Sequence, residues 1–483
     1  MSIEAITAIF PIIVTATAAV VVMLGIAFKR DHRLTLRLTV GGLLMALVVL
    51  PIANNIAPIQ ATPLIIIDPY AIFFIGLILV SAIIVAFLCY AYFSQDQGEN
   101  EELYLLLTTS VMGAIVLVAS RHFATFFLGL ETLSVSLFAM VAYTVKNDIS
   151  LEAGIKYLVL SGISSSFLLF GAALIYAELG TLVFVDMALL AEINEPSNLV
   201  VVGLSMVVAG LAFKLSLVPF HLWTSDVYEG APAPVTAYVA TVSKGSVFAL
   251  LLRYFLTSNA FNYYPVAMVF TLLAVVSILI GNLLALRQDN LKRLLAYSSI
   301  AHMGYLLIPF IAGATIGKAL VAEAVTFYLV AYFITTLGAF GVIAVVSNSD
   351  GEKQLVDDYT GLFWEKPLLA FIMTAMLMSL AGIPLTAGFI GKFYIFTAGL
   401  DASLWMLIMV LVAGSGLGLY YYLRVVLVML KTPSEKPVSN NLAIQTTVGQ
   451  MTVIGLASLL VYFGVFPGWL TELIEDMARI FSV

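Results

Sequence analysis

Four lysines, Lys156, Lys214, Lys244 and Lys392, lie inside apolar runs long enough to cross a membrane, and Glu131 lies in another. A charge at the centre of a bilayer costs about 3 kcal/mol on insertion scales, so such residues face a bundle interior or a wet cavity and mark ion or proton paths. Out of water an ammonium loses the solvation that favours it, and a neighbouring carboxylate restores that preference. A buried lysine beside a glutamate can therefore load and release a proton as the carboxylate moves or titrates. Glu131 and Lys214, each near the middle of its run, are the natural pair, with Lys244 and then Lys392 as further polar steps. The cargo this chemistry suits is a small cation, most simply H+.

Other polar residues admit two readings each. Lys156 follows closely on the loop at Asn147–Ser150, and either joins the path or snorkels to the interface. His221 either feeds Lys214 from one side or sits at the interface beside Trp223. His302, with Ser298, Ser299 and Tyr305, forms either a hydrogen-bonded relay or a packed helix seam; so deep a histidine needs polar partners or water, which favours the relay. Gly414, Gly416 and Gly418 suit close helix packing. Gly391-Lys392 is not a phosphate loop, since Thr386 stands at the first glycine position and no Ser or Thr follows the lysine. The lone Cys89 excludes a disulfide within the chain and any cysteine-ligated cluster, and His32, His122, His221 and His302 have no metal spacing. No catalytic redox residue and no metal ligand is expected. No motif binds ATP, flavin or haem, so uphill transport would draw its energy from a partner. No nucleic-acid partner is expected.

These residues need a membrane bundle around them. The chain has 483 residues, 62% hydrophobic and 10% charged, with mean hydropathy +1.08; soluble domains carry about 25% charged residues. The N-terminal run from Ala5 to Phe28 is too long for a signal-peptide core and reads as a retained span. Apolar runs broken by polar or Gly/Pro clusters predict an all-α polytopic membrane protein of about fourteen transmembrane helices. The predicted spans are 5–28, 35–53, 69–93, 103–119, 123–145, 153–177, 199–223, 232–257, 263–286, 294–312, 318–347, 367–399, 403–430 and 448–467. With the N-terminus outside, thirteen Lys and Arg fall in inner loops, Lys146, Lys292, Arg293 and Lys436 among them. Only Arg121, Arg253, Lys318 and Arg479 fall outside. The positive-inside rule therefore places both termini on the outer, periplasmic side.

Two spans are interrupted. The seventh contains FKLSLVPFHLW (213–223), with Pro219, and the twelfth SLAGIPLTAGFIGKF (379–393), with Pro384. Proline removes a backbone bond and collides with the carbonyl four residues earlier, which a membrane tolerates only where protein or water satisfies the freed groups. The breaks lie five spans apart, so helices 4–8 and 9–13 read as two five-helix repeats of inverted orientation with helices 7 and 12 broken. Such paired breaks point to a transporter's central site. The expected division is peripheral helices 1–3 in residues 1–102, repeats at 103–257 and 258–430, and helix 14 with a short tail at 431–483, all in one membrane domain.

FKLSLVPFHLW followed by SDVYEGAPAPVTAYVATVSK (225–244) resembles the signature of the antiporter-like membrane subunits of respiratory complex I, relatives of Mrp-type Na+/H+ antiporters. GLETLS (129–134), LEAGIKYLVLSGISSSFLLFG (151–171) and GLYYYLRV (418–425) fit the same family, and most closely its subunit N branch. Lysine at 392 is similar to that branch, where subunit M usually has glutamate, and no long extension of the subunit L kind follows helix 14. Ser225 departs from the family's usual proline and puts the local turn in doubt. The resemblance implies a proton axis through Glu131, Lys214, Lys244 and Lys392 in a bacterial inner-membrane subunit of NADH:quinone oxidoreductase. It implies neighbours of the subunit M and small membrane-subunit kinds. NADH, FMN, iron–sulfur clusters and quinone would be held by partner subunits and no redox centre by this chain. The alternatives are a subunit of an Mrp-type antiporter or membrane-bound hydrogenase of the same fold, a stand-alone solute transporter, or a scaffold. The solute transporter lacks its substrate pocket in the sequence, and the scaffold leaves the buried lysines unexplained.

Overall fold

The computed structural model describes residues 2–94, 100–145, 147–188, 197–258, 264–347, 351–432 and 447–481. Lys146 and Lys436 lie outside them. In lipid every backbone group must be satisfied within the protein, and helices do so within one segment. The chain is accordingly helical: α1 Ile3–Ala8, α2 Phe10–Phe28, α3 His32–Val48, α4 Leu50–Asn54, α5 Pro69–Phe93, α6 Glu102–Val118, α7 Phe123–Val141 and α8 Asp148–Leu179. Then come α9 Asn198–Lys214, α10 Leu222–Gly230, α11 Ala233–Tyr238, α12 Lys244–Ser258, α13 Tyr264–Ala285, α14 Leu291–Ile316 and α15 Lys318–Val346. The last are α16 Leu362–Glu365, α17 Pro367–Ala381, α18 Ala387–Asp401, α19 Trp405–Leu430, α20 Thr447–Val465 and α21 Gly468–Ala478. Among the described residues eleven helices are long and apolar enough to span, and α6, α9 and α17 are shorter apolar ones. A small antiparallel hairpin, β1 Ile59–Gln60 with β2 Ile66–Ile67, joins α4 to α5.

Side-chain caps set where the helices begin. Asp68 accepts from the Ala71 N–H at 2.7 Å just before Pro69 opens α5. Asn147 does the same for α8, and Asn290 accepts from both Lys292 and Arg293 at the head of α14. Burial ranks the helices. The apolar windows of Ala233–Ser258 and Lys318–Val346 are wholly buried, whereas α2 and α20 are largely uncovered. The centre of the bundle is therefore the α11–α12 helix against α15, which also touches α5, α14, α17, α18, α20 and α21. Lys244 lies on the central helix, and α21 lies against α5 and α15 without spanning.

Two charges differ from the loop assignments above. Arg253 is buried inside α12, where its guanidinium grips Asp68 through two bonds of 2.7 and 2.8 Å and donates to the Val118 carbonyl. Lys292 is fully buried in the first turn of α14, donating to Glu352 at 2.5 Å and to the Ala231 carbonyl at 2.6 Å. Counting charges by loop places both in water, because the carboxylates that neutralise them are 185 and 60 residues away in the chain.

Candidate proton-path site

The seventh span is broken at Lys214. There α9 ends, Ser216 takes φ of 62°, and α10 resumes at Leu222. The freed backbone finds partners: the Val218 N–H donates to Ser277 Oγ on α13 at 2.9 Å, and Trp223 Nε1 donates to the Phe213 carbonyl. Lys214 Nζ, at the last residue before the break, donates to Ser134 Oγ on α7 at 2.8 Å and to Ser161 Oγ on α8 at 2.6 Å. Glu131 accepts from Ser165 at 2.5 Å. Among the described residues no hydrogen bond or ion pair joins Glu131 to Lys214 directly. Glu131 and Ser134 lie about one turn apart on α7, Ser161 and Ser165 one turn apart on α8, and these hydroxyls stand between carboxylate and ammonium.

Lys244 is 1% exposed and opens α12 directly after a π turn over Val239–Ser243. Such widened turns frequently occur at functional sites. Its Nζ donates to Ser299 Oγ at 2.9 Å, while Tyr332 donates to the same oxygen at 2.7 Å and Tyr228 lies 3.2 Å from it. The ammonium stands over the rings of Tyr228 and Trp223, 5.1 and 5.9 Å from their centroids.

The twelfth span is broken between Ala381 and Ala387, around Pro384. Lys392, one turn into α18, reaches back to the Ala381 carbonyl at 2.9 Å and to Ser415 Oγ at 3.3 Å. It thus satisfies a carbonyl that the break frees, at the negative end of the half-helix α17. Its ammonium lies 5.2 Å from the centroid of Tyr305, whose hydroxyl accepts from Asn282, itself an acceptor for Tyr421. Between Lys244 and Lys392 stands His302. Its Nδ1 meets the Tyr328 hydroxyl, and its Nε2 lies 3.2 Å from the Tyr422 hydroxyl, which also bonds Ser298. A cavity of about 10 Å³ lies among His302, Tyr328, Tyr332, Thr335, Ser379 and Gly388, about the space one water needs.

Hydrogen bonding divides the predicted relay group, though the Tyr305 ring still packs edge-on against His302 at 5.4 Å. Ser299 belongs with Lys244, Ser298 with His302 through Tyr422, and Tyr305 with Lys392. Lys156 stands apart, half-exposed, with ion pairs to Glu152 at 2.6 Å and Asp226 at 2.8 Å. His221 is buried, and its Nδ1 has no hydrogen-bond partner among the described residues. No group of three or more His, Cys, Asp or Glu poised to hold a metal occurs among the described residues. Sequence reasoning passed over Ser134, Ser161, Ser165, Tyr228, Tyr328, Tyr332, Tyr422, Asn282 and Ser415. Their signal was polar side chains at helical spacing inside apolar runs, as in SGISSS (161–166) and YYY (420–422).

A family model described as NADH:quinone oxidoreductase/Mrp antiporter, TM, matches residues 120–418. The chain belongs to this family. It is 52% identical over 468 residues to NADH-quinone oxidoreductase subunit N of Methylococcus capsulatus, covering 97% of this chain and 94% of that one. A chain of respiratory complex I from Thermus thermophilus, solved with bound aureothin, is 30% identical with a TM-score of 0.81 over 96% of this chain and 98% of that one. A chain of the Mrp complex from Dietzia sp. DQ12-45-1b has the same fold, with a TM-score of 0.83 at 19% identity over 99% and 97% of the two chains. In this chain Lys214 and Lys392 lie at the two broken helices and Lys244 on the wholly buried helix between them.

Proposed function

We propose that this chain is a proton-translocating membrane subunit of a bacterial NADH:quinone oxidoreductase, moving H+ along Glu131, Lys214, Lys244 and Lys392. The observation that carries this reading is that two buried lysines, Lys214 and Lys244, and the half-buried Lys392 have no ion-paired carboxylate among the described residues, and each donates to a serine hydroxyl. A charge so placed costs several kcal/mol, and a role in moving protons accounts for its being kept. In this mechanism a change of charge at Glu131 is felt at Lys214 across the α7–α8 hydroxyls. Lys214 then loads or releases a proton, and water carries it between Lys214 and Lys244. The Ser299–Tyr332 pair and the His302–tyrosine cluster continue the row to Lys392. Helices 4–8 and 9–13 act as two inverted units around the breaks. Residues 1–102 flank the first unit at 103–257, the second covers 258–430, and 431–483 closes the chain. Both termini face the periplasm. NADH, FMN, iron–sulfur clusters and quinone belong to partner subunits, and neighbours of the subunit M and small membrane-subunit kinds flank this one.

The test is Lys214→Ala in the assembled enzyme. Proton pumping into vesicles and coupled NADH:quinone turnover are expected to be lost while assembly survives, because truncation also removes the lysine's desolvation cost. Normal pumping at full assembly refutes the axis. The shared fold of the Mrp complex keeps one second reading, a cation/proton antiporter subunit. Co-purification with NADH-oxidising, iron–sulfur partners separates the two, and the 52% identity to a subunit N favours the first.

A further inference from the structure

Lys244 hydrogen-bonds Ser299 across two helices, and a charged pair clamps the heads of those helices. Glu352, in the segment between α15 and α16, accepts the Ala233 N–H at 2.8 Å with one carboxylate oxygen. The other oxygen holds Lys292 Nζ at 2.5 Å, and Lys292 also donates to the Ala231 carbonyl at 2.6 Å. Ala233 opens α11, the first turn of the helix that carries Lys244; Lys292 lies in the first turn of α14, the helix that carries Ser299. Gln354 Nε2 donates to Glu352 at 3.1 Å, and its amide oxygen accepts from Asn290, the cap of α14. The Lys292 side chain is fully buried and that of Glu352 nearly so, which a solvated surface pair is not. Breaking a buried pair by removing one charge leaves the other uncompensated, so the clamp holds its geometry firmly.

We propose that Glu352 is a positioning residue for proton transfer: with Lys292 it fixes the α11–α12 helix against α14 so that Lys244 meets Ser299. This rests on the proton-axis reading above. From Lys292 to Ser299 is seven residues, about 10 Å along α14, and from Ala233 to Lys244 is eleven, about 16 Å at α-helical rise. A shift at the clamp therefore reaches the Lys244–Ser299 bond with little flexible chain between. Glu352 touches no proton carrier itself. It works by holding two helices in register.

The experiment uses the whole enzyme in membrane vesicles at matched assembly, with Lys244→Ala as reference. Glu352→Gln keeps an acceptor for Ala233 but not the charge that holds Lys292. Pumping and maximal turnover are expected to fall about ten- to a hundredfold, the scale of a misplacement near 1 Å. The quinone KM should stay unchanged, since quinone binds elsewhere; a general collapse of structure would move both. Should Glu352→Gln fail to assemble, Glu352→Asp carries the test, because it keeps both charges and draws them apart by one methylene. A partial loss of maximal turnover at unchanged KM supports the proposal. Parental pumping in the variant that assembles, with Lys244→Ala inactive, overturns it. Parental pumping in Lys244→Ala overturns the axis itself, which separates the two failures.

Discussion

At the scale of single residues, each of the three lysines of the row has found an oxygen to donate to, and the kind of oxygen differs. Lys214 and Lys244 meet serine hydroxyls, which both accept and donate and can hand a proton on. Lys392 meets a main-chain carbonyl, which only accepts, together with Ser415. Its release route therefore runs by way of Ser415 or a water, not the carbonyl. Lys392→Arg tests whether release matters. A guanidinium keeps the bond to Ala381 and the charge but stays protonated at any working pH. Pumping in vesicles at matched assembly is expected to fall about a hundredfold, the contribution of one positioned proton-transfer group. If arginine pumps as well as lysine, position 392 is a fixed charge. Lys392→Glu turns an acceptor toward the Ala381 carbonyl, and only its protonated form restores the bond, so partial activity confined to low pH is expected.

At the scale of elements, the two breaks are held open differently. The seventh-span break is pinned from outside by Ser277. The twelfth-span break depends on glycine: Gly382 takes φ of +88°, and a Cβ on Gly388 would lie 2.1 Å from the Ser379 carbonyl oxygen. No rotamer change relieves a clash with backbone. Gly388→Ala should cost at least about 1–3 kcal/mol, as overpacking does, and lower the melting temperature and yield of assembled enzyme. Gly416→Ala, where an added Cβ meets nothing within 4 Å, should change neither. Equal behaviour of the two variants would show that the break can widen. Pro219 and Pro384 made both breaks legible in the sequence, and long apolar runs made the spans legible. The π turn before Lys244 was not, since nothing local distinguishes VATVS from ordinary helix. Nor were the acceptors of the lysines, which lie 80, 53 and 55 residues away for Ser134, Ser161 and Ser299. Depth in the membrane is written locally, whereas partnership is decided by which helices pack together.

At the scale of the whole molecule, one buried point joins the N-terminal helices, the central helix and the C-terminal end. Asp68 caps α5 and takes both arms of Arg253 from α12. Tyr70 donates to the Ala249 carbonyl, lies under the Arg253 guanidinium and meets Phe481 edge-on at 5.3 Å. Arg253 shares the central helix with Lys244, nine residues on, so an unneutralised guanidinium there would add a second buried cation to the helix that carries the proton path. Asp68→Asn keeps the shape and one acceptor but leaves that charge unpaired, which should cost about 3–5 kcal/mol. The enzyme should then melt lower or fail to assemble, with little relief from salt, because the pair is shut away from ions. Replacing both partners by apolar residues of similar size, Asp68→Leu with Arg253→Met, removes the two desolvation costs together and should restore most of the stability, less about 1 kcal/mol for the lost α5 cap. That double variant is also expected to pump normally, since neither residue touches the lysine row. An assembled double variant without pumping would mean that Arg253 belongs to the path and not only to the scaffold. A single Asp68→Asn as stable as the parent would mean that Arg253 reaches another acceptor.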